Sequence, residues 1–333
     1  MKIAISGFRH GHIGSIVKEM AHYPQQLQIV AACERDPQKA EPIIKASGAT
    51  ITHKDLDTML REVECDAVAV GDVYADRGAQ VIKALEAGKH VLADKPMCSS
   101  PAEMRRIRQL AEEKDRKVIV ALTLRYVAAW QTARRIVREG AIGEVCTATV
   151  HGQHPLNYKA GRPEWYFEQG RHGGTINDIM VHGIDSMLYV TGLPVVEVVA
   201  ARAWHMQPAE VPFFQDCAQA FLRLSNGAGV MMESSYKAVK GHATPWTMTI
   251  WGTDGDMTFT SSGAVTVRRP GEPAKAVEAK IENKGNIVED FIQEVEGFPG
   301  RQQQLTTAES LDASEKAVLA QEAADKAKAF VKV

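Results

Sequence analysis

No stretch of the 333-residue sequence stays apolar long enough to cross a bilayer, which excludes a helical membrane protein. The opening, MKIAISGFRHGH, has one Lys and an apolar run too short for the core of a secretory signal, so the expected compartment is the cytoplasm. Cysteines are few. The five, at positions 33, 65, 98, 146 and 217, are odd in number and widely scattered, which excludes a disulfide framework and a CxxC zinc or redox site. Excess charge is missing too: Lys and Arg total 39 against 41 Asp and Glu, with no basic stripe, which argues against a nucleic-acid partner.

What is present is an ordinary globular composition, 45% hydrophobic and 24% charged, in a chain longer than one core usually serves. Two domains are expected. In the first part, Lys2 to Ser6, Gln28 to Cys33, Ala67 to Val70, His90 to Ala93 and Val118 to Leu122 read as strands separated by amphipathic helices. That alternation implies a parallel sheet covered on both faces, an α/β domain over residues 1–122. From Gly143 the texture shifts to longer runs rich in β-branched and aromatic residues: EVCTATVHGQH, VVEVVAARAW, CAQAFLRL, GAGVMMESSY and WTMTIWGT. Residues 123–333 therefore read as an α+β domain with a large, mostly antiparallel open sheet. Helices are expected at Ala128 to Glu139, at about Gly174 to Val190, and from Ile287 onward, the last able to fold back on the first domain. An open sheet leaves one face needing cover, so a homodimer or homotetramer is expected.

Strand Lys2 to Ser6 runs into Gly7-Phe8-Arg9-His10-Gly11-His12-Ile13-Gly14. Glycines at a strand-to-helix turn let backbone approach a pyrophosphate, whose charge the free N–H groups and the helix N-terminus stabilise. The spacing is GxxxGxxG, and by itself it also suits a turn in an unrelated α/β protein. Glu34, 20 residues past Gly14, ends the second strand where an acid can accept both ribose hydroxyls of NAD and repel a 2′-phosphate. Arg35 follows and could pair with such a phosphate, so NAD is expected over NADP.

ALEAGKHVLADKPMCSSPAEM and GGTINDIMVHGID carry a more specific signal, supported by LRYVAAWQTARRIVREGAIGEV, GRPEWYF and the tail from NIVEDFIQEV onward. These segments resemble the glucose-fructose oxidoreductase, inositol dehydrogenase and rhizopine-catabolism family, Gfo/Idh/MocA, over essentially the whole chain. The resemblance implies a Rossmann domain followed by a substrate domain, with the substrate lying between them. It places Asp94-Lys95-Pro96 on the family's Glu-Lys-Pro, with Lys95 beside the nicotinamide. It makes Lys95, Asp178 and His182 the catalytic set. Beyond Gly7 to Ile13, Glu34 and Arg35, the cofactor set becomes Asp72, Tyr74, Arg77, Asp94, Lys95 and Pro96. Arg125, Tyr126, His154 and Trp165 join Asp178 and His182 as substrate-binding candidates. Asp72-Val73-Tyr74 and Arg77 depart from the usual Thr-Pro-Asn and His, which leaves the substrate open. The activity implied is NAD-dependent oxidation of a sugar, polyol or glycoside hydroxyl.

The residues suit that chemistry independently of the family. Hydride leaves a carbinol carbon only as the hydroxyl proton is removed, which calls for a base such as His182. Asp178, four residues before it, would share its helix face and orient it, while Lys95 would polarise the reacting oxygen. Two other readings stay open: a glycoside hydrolase that oxidises transiently with bound NAD, and a sensor that binds without turnover. A zinc or manganese site from His151, His154, His172, Asp178 and His182 is weighed against irregular spacing, and no metal is expected. Tyr236-Lys237-Ala238-Val239-Lys240 gives a nominal YxxxK, discounted because it lies in strand texture.

Overall fold

The computed structural model describes residues 1–239, 246–297 and 302–327, and divides into two compact units. The first comprises Met1–Leu122, Pro163–Gly173 and Gly285–Ser314, and the second Thr123–Arg162, Gly174–Lys284 and Glu315–Val333. Residues 163–173 and 285–314 thus cluster with the first unit and interrupt the second.

In the first unit the order is β1 (Lys2–Ser6), α1 (Gly11–Met20), β2 (Gln28–Cys33), α2 (Pro37–Ser47), α3 (Leu56–Glu62), β3 (Ala67–Val70), α4 (Tyr74–Glu86), β4 (His90–Ala93), α5 (Pro101–Glu113) and β5 (Val118–Val120). The strands form one parallel sheet in the order β2-β1-β3-β4-β5. The four residues of β3 and the three of β5 are all buried, as a parallel sheet covered on both faces requires. The strand order reverses between β1 and β3, so the open crevice lies at their carboxyl ends, where Ser6 and Val70 lead into loops. Side chains start the helices: Asp55 caps α3 through the Thr58 N–H and Ser100 caps α5 through that of Glu103.

The second unit runs α6 (Ala128–Arg138), β6 (Val145–Gln153), α7 (Val181–Thr191), β7 (Val195–Trp204), β8 (Cys217–Leu224), β9 (Gly229–Ser235), β10 (Thr247–Gly252), β11 (Asp256–Thr260), β12 (Val265–Arg268) and β13 (Lys275–Val277). The eight strands have the order β13-β12-β11-β10-β6-β9-β8-β7, and every pairing is antiparallel except β6 with β9. Alternation decides the faces. In β8, Ala218, Ala220, Leu222 and Leu224 are buried, while Gln219, Phe221 and Arg223 point out. Helices α6 and α7 cover the buried face. The other carries the exposed Val196, Val199, Phe221, Met231 and Trp251. Two helices complete the chain, α8 (Ile287–Glu296) and α9 (Thr307–Lys326). Asn286 caps α8 through the Val288 and Glu289 N–H groups, and α8 packs on β4, β5 and α1 within the first unit. Among the described residues no helix is long and apolar enough to cross a membrane.

The expected helix from Gly174 to Val190 is not one α-helix. Ile176–Met180 is a π-helical turn that passes into α7 at Val181. A side chain from α9 meets the first residue of this turn: Gln321 accepts the Ile176 N–H through Oε1 at 2.9 Å, while its Nε2 donates to Gln215 and Asp325. Gln321 thus satisfies a donor that the start of a helix leaves without an intrahelical acceptor.

Candidate functional site

The carboxyl ends of β1, β2 and β3 surround a cleft of about 210 Å³ lined by Gly7, Glu34, Arg35 and Asp72 among others. Gly7 has φ +79°, and a side chain there would place its first carbon 2.6 Å from Asp72 Cβ, so glycine is required on both counts. Gly11, the first residue of α1, has open space where a Cβ would be, and His10 precedes it as N-cap. Glu34 is buried. Its Oε2 accepts the Phe8 N–H at 2.7 Å and its Oε1 the Asp36 N–H at 2.9 Å, and Arg9 Nη1 lies 4.0 Å away. Burial raises its carboxyl above the usual range. A carboxylate has about four lone-pair sites, so two remain for further donors. An open-backed loop at a helix N-terminus, with a buried acid at the next strand end, fits the adenosine and pyrophosphate portion of a dinucleotide. Ile13, expected in the cofactor set, points inward and packs on Gly71.

At the end of β4 the residues expected near the nicotinamide form one buried network around Asp94. Arg77 Nη2 donates to Asp94 Oδ2 at 2.9 Å, His10 Nδ1 lies 2.7 Å from the same oxygen, and His12 Nδ1 is 3.0 Å from Oδ1. The Tyr74 hydroxyl bonds to His10 Nε2 at 3.1 Å and to the Tyr166 hydroxyl. Arg77 also donates to the carbonyls of Asp72, Lys95 and Pro96, which pins the main chain at Lys95 and Pro96. Lys95 itself is buried, with Nζ 5.8 Å from the Tyr74 ring centroid. The ligand atoms of His10, His12 and Asp94 lie within 4.8 Å of one another, a spacing a divalent cation could use, but Arg77 already meets the charge of Asp94.

Burial decides the protonation of His10, and the Arg77 charge beside it adds to the effect. Burial pushes this imidazole down to about 3, because a second buried cation beside Asp94 would be uncompensated. Neutral His10 then donates from Nδ1 to Asp94 and accepts from Tyr74 at Nε2, a tautomer assigned from the network. Burial alone would raise Asp94, but Arg77 and the two histidines outweigh it and hold its carboxyl well below the usual range. Both shifts act in the same direction. Between about pH 6.5 and 3 the unfolded chain protonates His10 and the folded chain does not, and below about 3.8 the same holds for Asp94. Stability is therefore lost as pH falls, with His10 contributing on the order of 1 kcal/mol per pH unit. Urea unfolding between pH 7 and 4 should show a shallower acid loss in His10→Asn than in the unmodified chain; parallel slopes would contradict the assignment.

In the second unit the structure gathers Asp178, His182 and His154 of the expected residues. Asp178, on the π turn, accepts a hydrogen bond from the Tyr236 hydroxyl, and both side chains are buried. His182, one residue into α7, meets the Trp246 ring edge-on at 5.7 Å, and His154 meets the same ring at 6.5 Å. Trp246 fits there because β6 carries Gly152, where any side chain would collide with the indole. The π turn changes the expected geometry. Asp178 and His182 stand at the junction of a π turn and an α-helix, so the i, i+4 rule for a regular helix face does not describe them.

Other expectations land elsewhere. Arg125 is fully buried and pairs with Asp185 through Nε and Nη2, so it is held within the second unit. Tyr126 ends a 3₁₀ turn, Thr123–Tyr126. Trp165 belongs to the first unit, where its ring packs on Tyr74 and Tyr166 and its Nε1 donates to the Arg9 carbonyl at 3.0 Å; it is 2% exposed and offers no open wall. The five residues weighed as a metal set do not converge. His151 lines the exposed sheet face, and His172 packs against Tyr74 and Tyr166 in the first unit. Of the nominal YxxxK, Tyr236 contacts Asp178 and Lys237 pairs with Asp216, while Lys240 lies outside the described residues. Trp246, Gln321, Tyr166 and Asp76 carry no motif of their own in the sequence, whereas Tyr236 opens the nominal YxxxK.

Residues 1–122 match the model of the oxidoreductase family with an NAD-binding Rossmann fold, and residues 130–258 match the GFO/IDH/MocA C-terminal domain. Among curated relatives, the D-glucoside 3-dehydrogenase of Escherichia coli is 27% identical over 181 residues, 54% of this chain and 50% of that protein. The inositol 2-dehydrogenase of Rhizobium meliloti is 23% identical over 236 residues, 70% of this chain and 68% of that one. The chain spans about half the length of several of the curated relatives it matches. A solved oxidoreductase from Agrobacterium radiobacter, in complex with NAD+, L-tartaric acid and magnesium, has the same fold: TM-score 0.75 at 20% identity, over 98% of this chain and 96% of that one. With both domain models matched in order along the sequence, the chain belongs to the GFO/IDH/MocA oxidoreductases, and its first 122 residues are their NAD-binding Rossmann domain.

Proposed function

We propose that this chain is a cytoplasmic dehydrogenase that oxidises a secondary hydroxyl of a cyclic sugar, polyol or glycoside, with NAD preferred to NADP and Lys95, Asp178 and His182 as its catalytic set. The observation that carries the reading is a buried carboxylate and a buried imidazole on one π-to-α junction, Asp178 bonded to Tyr236 and His182 set against Trp246. Oxidation of an alcohol breaks its C–H and O–H bonds and forms C=O. The nicotinamide, when bound, supplies the hydride acceptor. His182 takes the hydroxyl proton at a ring nitrogen. Asp178, its orientation fixed by Tyr236, holds a neighbouring hydroxyl or stabilises the protonated imidazole, and Lys95 stabilises negative charge developing on the reacting oxygen. The names of the glucoside and inositol dehydrogenases among its relatives support this substrate class. Near-balanced charge supports a small-molecule substrate over a nucleic acid. The test incubates the protein and NAD with sugars, inositols and aryl glycosides while following NADH and aglycone. NADH formation with one ring class is expected; aglycone release without net NADH would overturn it in favour of a hydrolase.

The apolar sheet face exposed among the described residues supports self-association. Phe221 and Met231 are direct cross-strand partners on it, with Val196, Val199 and Trp251 nearby in the sheet, an apolar surface of the kind monomers rarely leave in water. Light scattering should give at least twice 36.4 kDa for the unmodified chain, and Met231→Lys should shift it toward the monomer. A 36.4 kDa particle at micromolar concentration would contradict a dimer.

A further inference from the structure

The charges around the nucleotide cleft bear on cofactor choice in a way that Glu34 alone does not. Arg35 directly follows β2 and is the cation expected to welcome a 2′-phosphate. Its side chain is 57% exposed, but its Nη2 is committed to two acids, Asp76 Oδ2 at 2.9 Å and Asp72 Oδ2 at 3.2 Å. Both acids are anchored by other groups. Arg171 grips Asp76 with two bonds, Nη1 to Oδ1 at 2.9 Å and Nη2 to Oδ2 at 2.8 Å. Asp72 accepts from its own neighbour, the Val73 N–H at 2.7 Å, and from Gln80 Nε2, whose amide oxygen is in turn held by the Ser6 hydroxyl at 2.6 Å. The acids are therefore the fixed partners and Arg35 is the movable one.

The rest of the lining adds to this. Besides Asp72 and Asp76, the cleft presents Glu34, Asp55 and Asp57 against the cations Arg35, Lys54 and Lys83, and Lys83 bonds Asp57 at 2.5 Å. A dianionic 2′-phosphate would enter a field with an excess of fixed carboxylates. It would also have to draw Arg35 from two charge-assisted partners before gaining one.

We propose that Asp76 and Asp72 are specificity-determining residues that clamp Arg35 away from a 2′-phosphate and so reinforce selection of NAD. The proposal rests on the reading of this cleft as the adenosine end of the cofactor site. The clamp makes Arg35 a silent cation, present in sequence but removed from recognition. Asp76 is the stronger handle, because Arg171 stays to fill the space beside a neutral replacement, whereas Asp72 lies directly against the Gly7 turn.

The experiment is isothermal titration of the full chain with NAD and NADP. Arg35→Ala should leave the NADP affinity within about twofold, since its guanidinium is already occupied; a loss of about fivefold or more would overturn the clamp. Asp76→Asn should tighten NADP by about tenfold while moving NAD by less than about threefold, the scale of one charge-assisted bond to phosphate. Arg35→Ala added to Asp76→Asn should abolish most of that gain. A gain that survives in the double variant would mean that charge removal alone acts, and would overturn the clamp. If Asp76→Asn melts early, Arg35→Ala alone still decides. A strong NAD preference with both variants silent would overturn the clamp and leave Glu34 as the selector; equal affinities in the unmodified chain would remove the preference itself.

Discussion

His182→Ala is expected to lose about 10²–10⁴ in turnover while NAD binds within a few-fold of normal, the range for removal of a positioned acid–base group. The separation of the two effects follows from the fold. His182 belongs to the second unit, whereas the Gly7 turn and Glu34, which are expected to hold the adenosine and pyrophosphate, belong to the first and are held there by hydrogen bonds to other groups than the imidazole. Removing the ring also leaves space beside Trp246, so His182→Asn should be made in parallel to keep the volume. The measurements are kcat and kcat/KM on the hydroxyl substrate, NAD affinity by titration, and thermal unfolding. The pH profile of kcat/KM should lose its acid limb, which a purely structural role for His182 would leave in place. Near-native turnover in a folded His182→Asn would end its assignment as the base, and another group would have to take the hydroxyl proton.

Much of the architecture is legible in the sequence because it depends on local pattern. The first-domain strands alternate with amphipathic helices, and four of the five occupy the ranges that pattern gives; the fifth stops at Val120. The Gly7 turn is legible for a similar reason, since a positive φ at a strand-to-helix turn demands glycine. The interior of the candidate site is a different matter. Its side chains are placed by partners far away in sequence: Gln321 reaches the π turn across 145 positions, Tyr236 reaches Asp178 across 58, and Tyr74 meets Tyr166 across 92. No periodicity encodes such pairings, and the helical repeat suggests an uninterrupted helix through Ile176–Met180. Arg125 and Trp165 are instructive in the same way. Polar and aromatic residues in family-like segments read equally well as binding groups or as buried structure, and only the pairing with Asp185 and the Arg9 carbonyl distinguishes them.

Lys95→Ala should cost about 10²–10³ in turnover, the scale seen when one preorganised charge is removed from a developing oxyanion. The substitution should not unfold the site, because what holds this segment is main chain: Arg77 donates to the Lys95 and Pro96 carbonyls, and both bonds survive loss of the side chain. Lys95→Arg should not rescue activity, since a planar guanidinium is not a compact ammonium and Lys95 is 3% exposed, with little room for a larger group. The informative experiment is the double variant. If Lys95 polarises the same hydroxyl whose proton His182 removes, the two act in one step, and the loss in Lys95→Ala/His182→Ala should fall well short of the product of the single losses. Independent contributions would multiply. A multiplicative result, with both single variants folded and binding NAD normally, would show that the two residues serve different steps, and the single catalytic set would have to be divided.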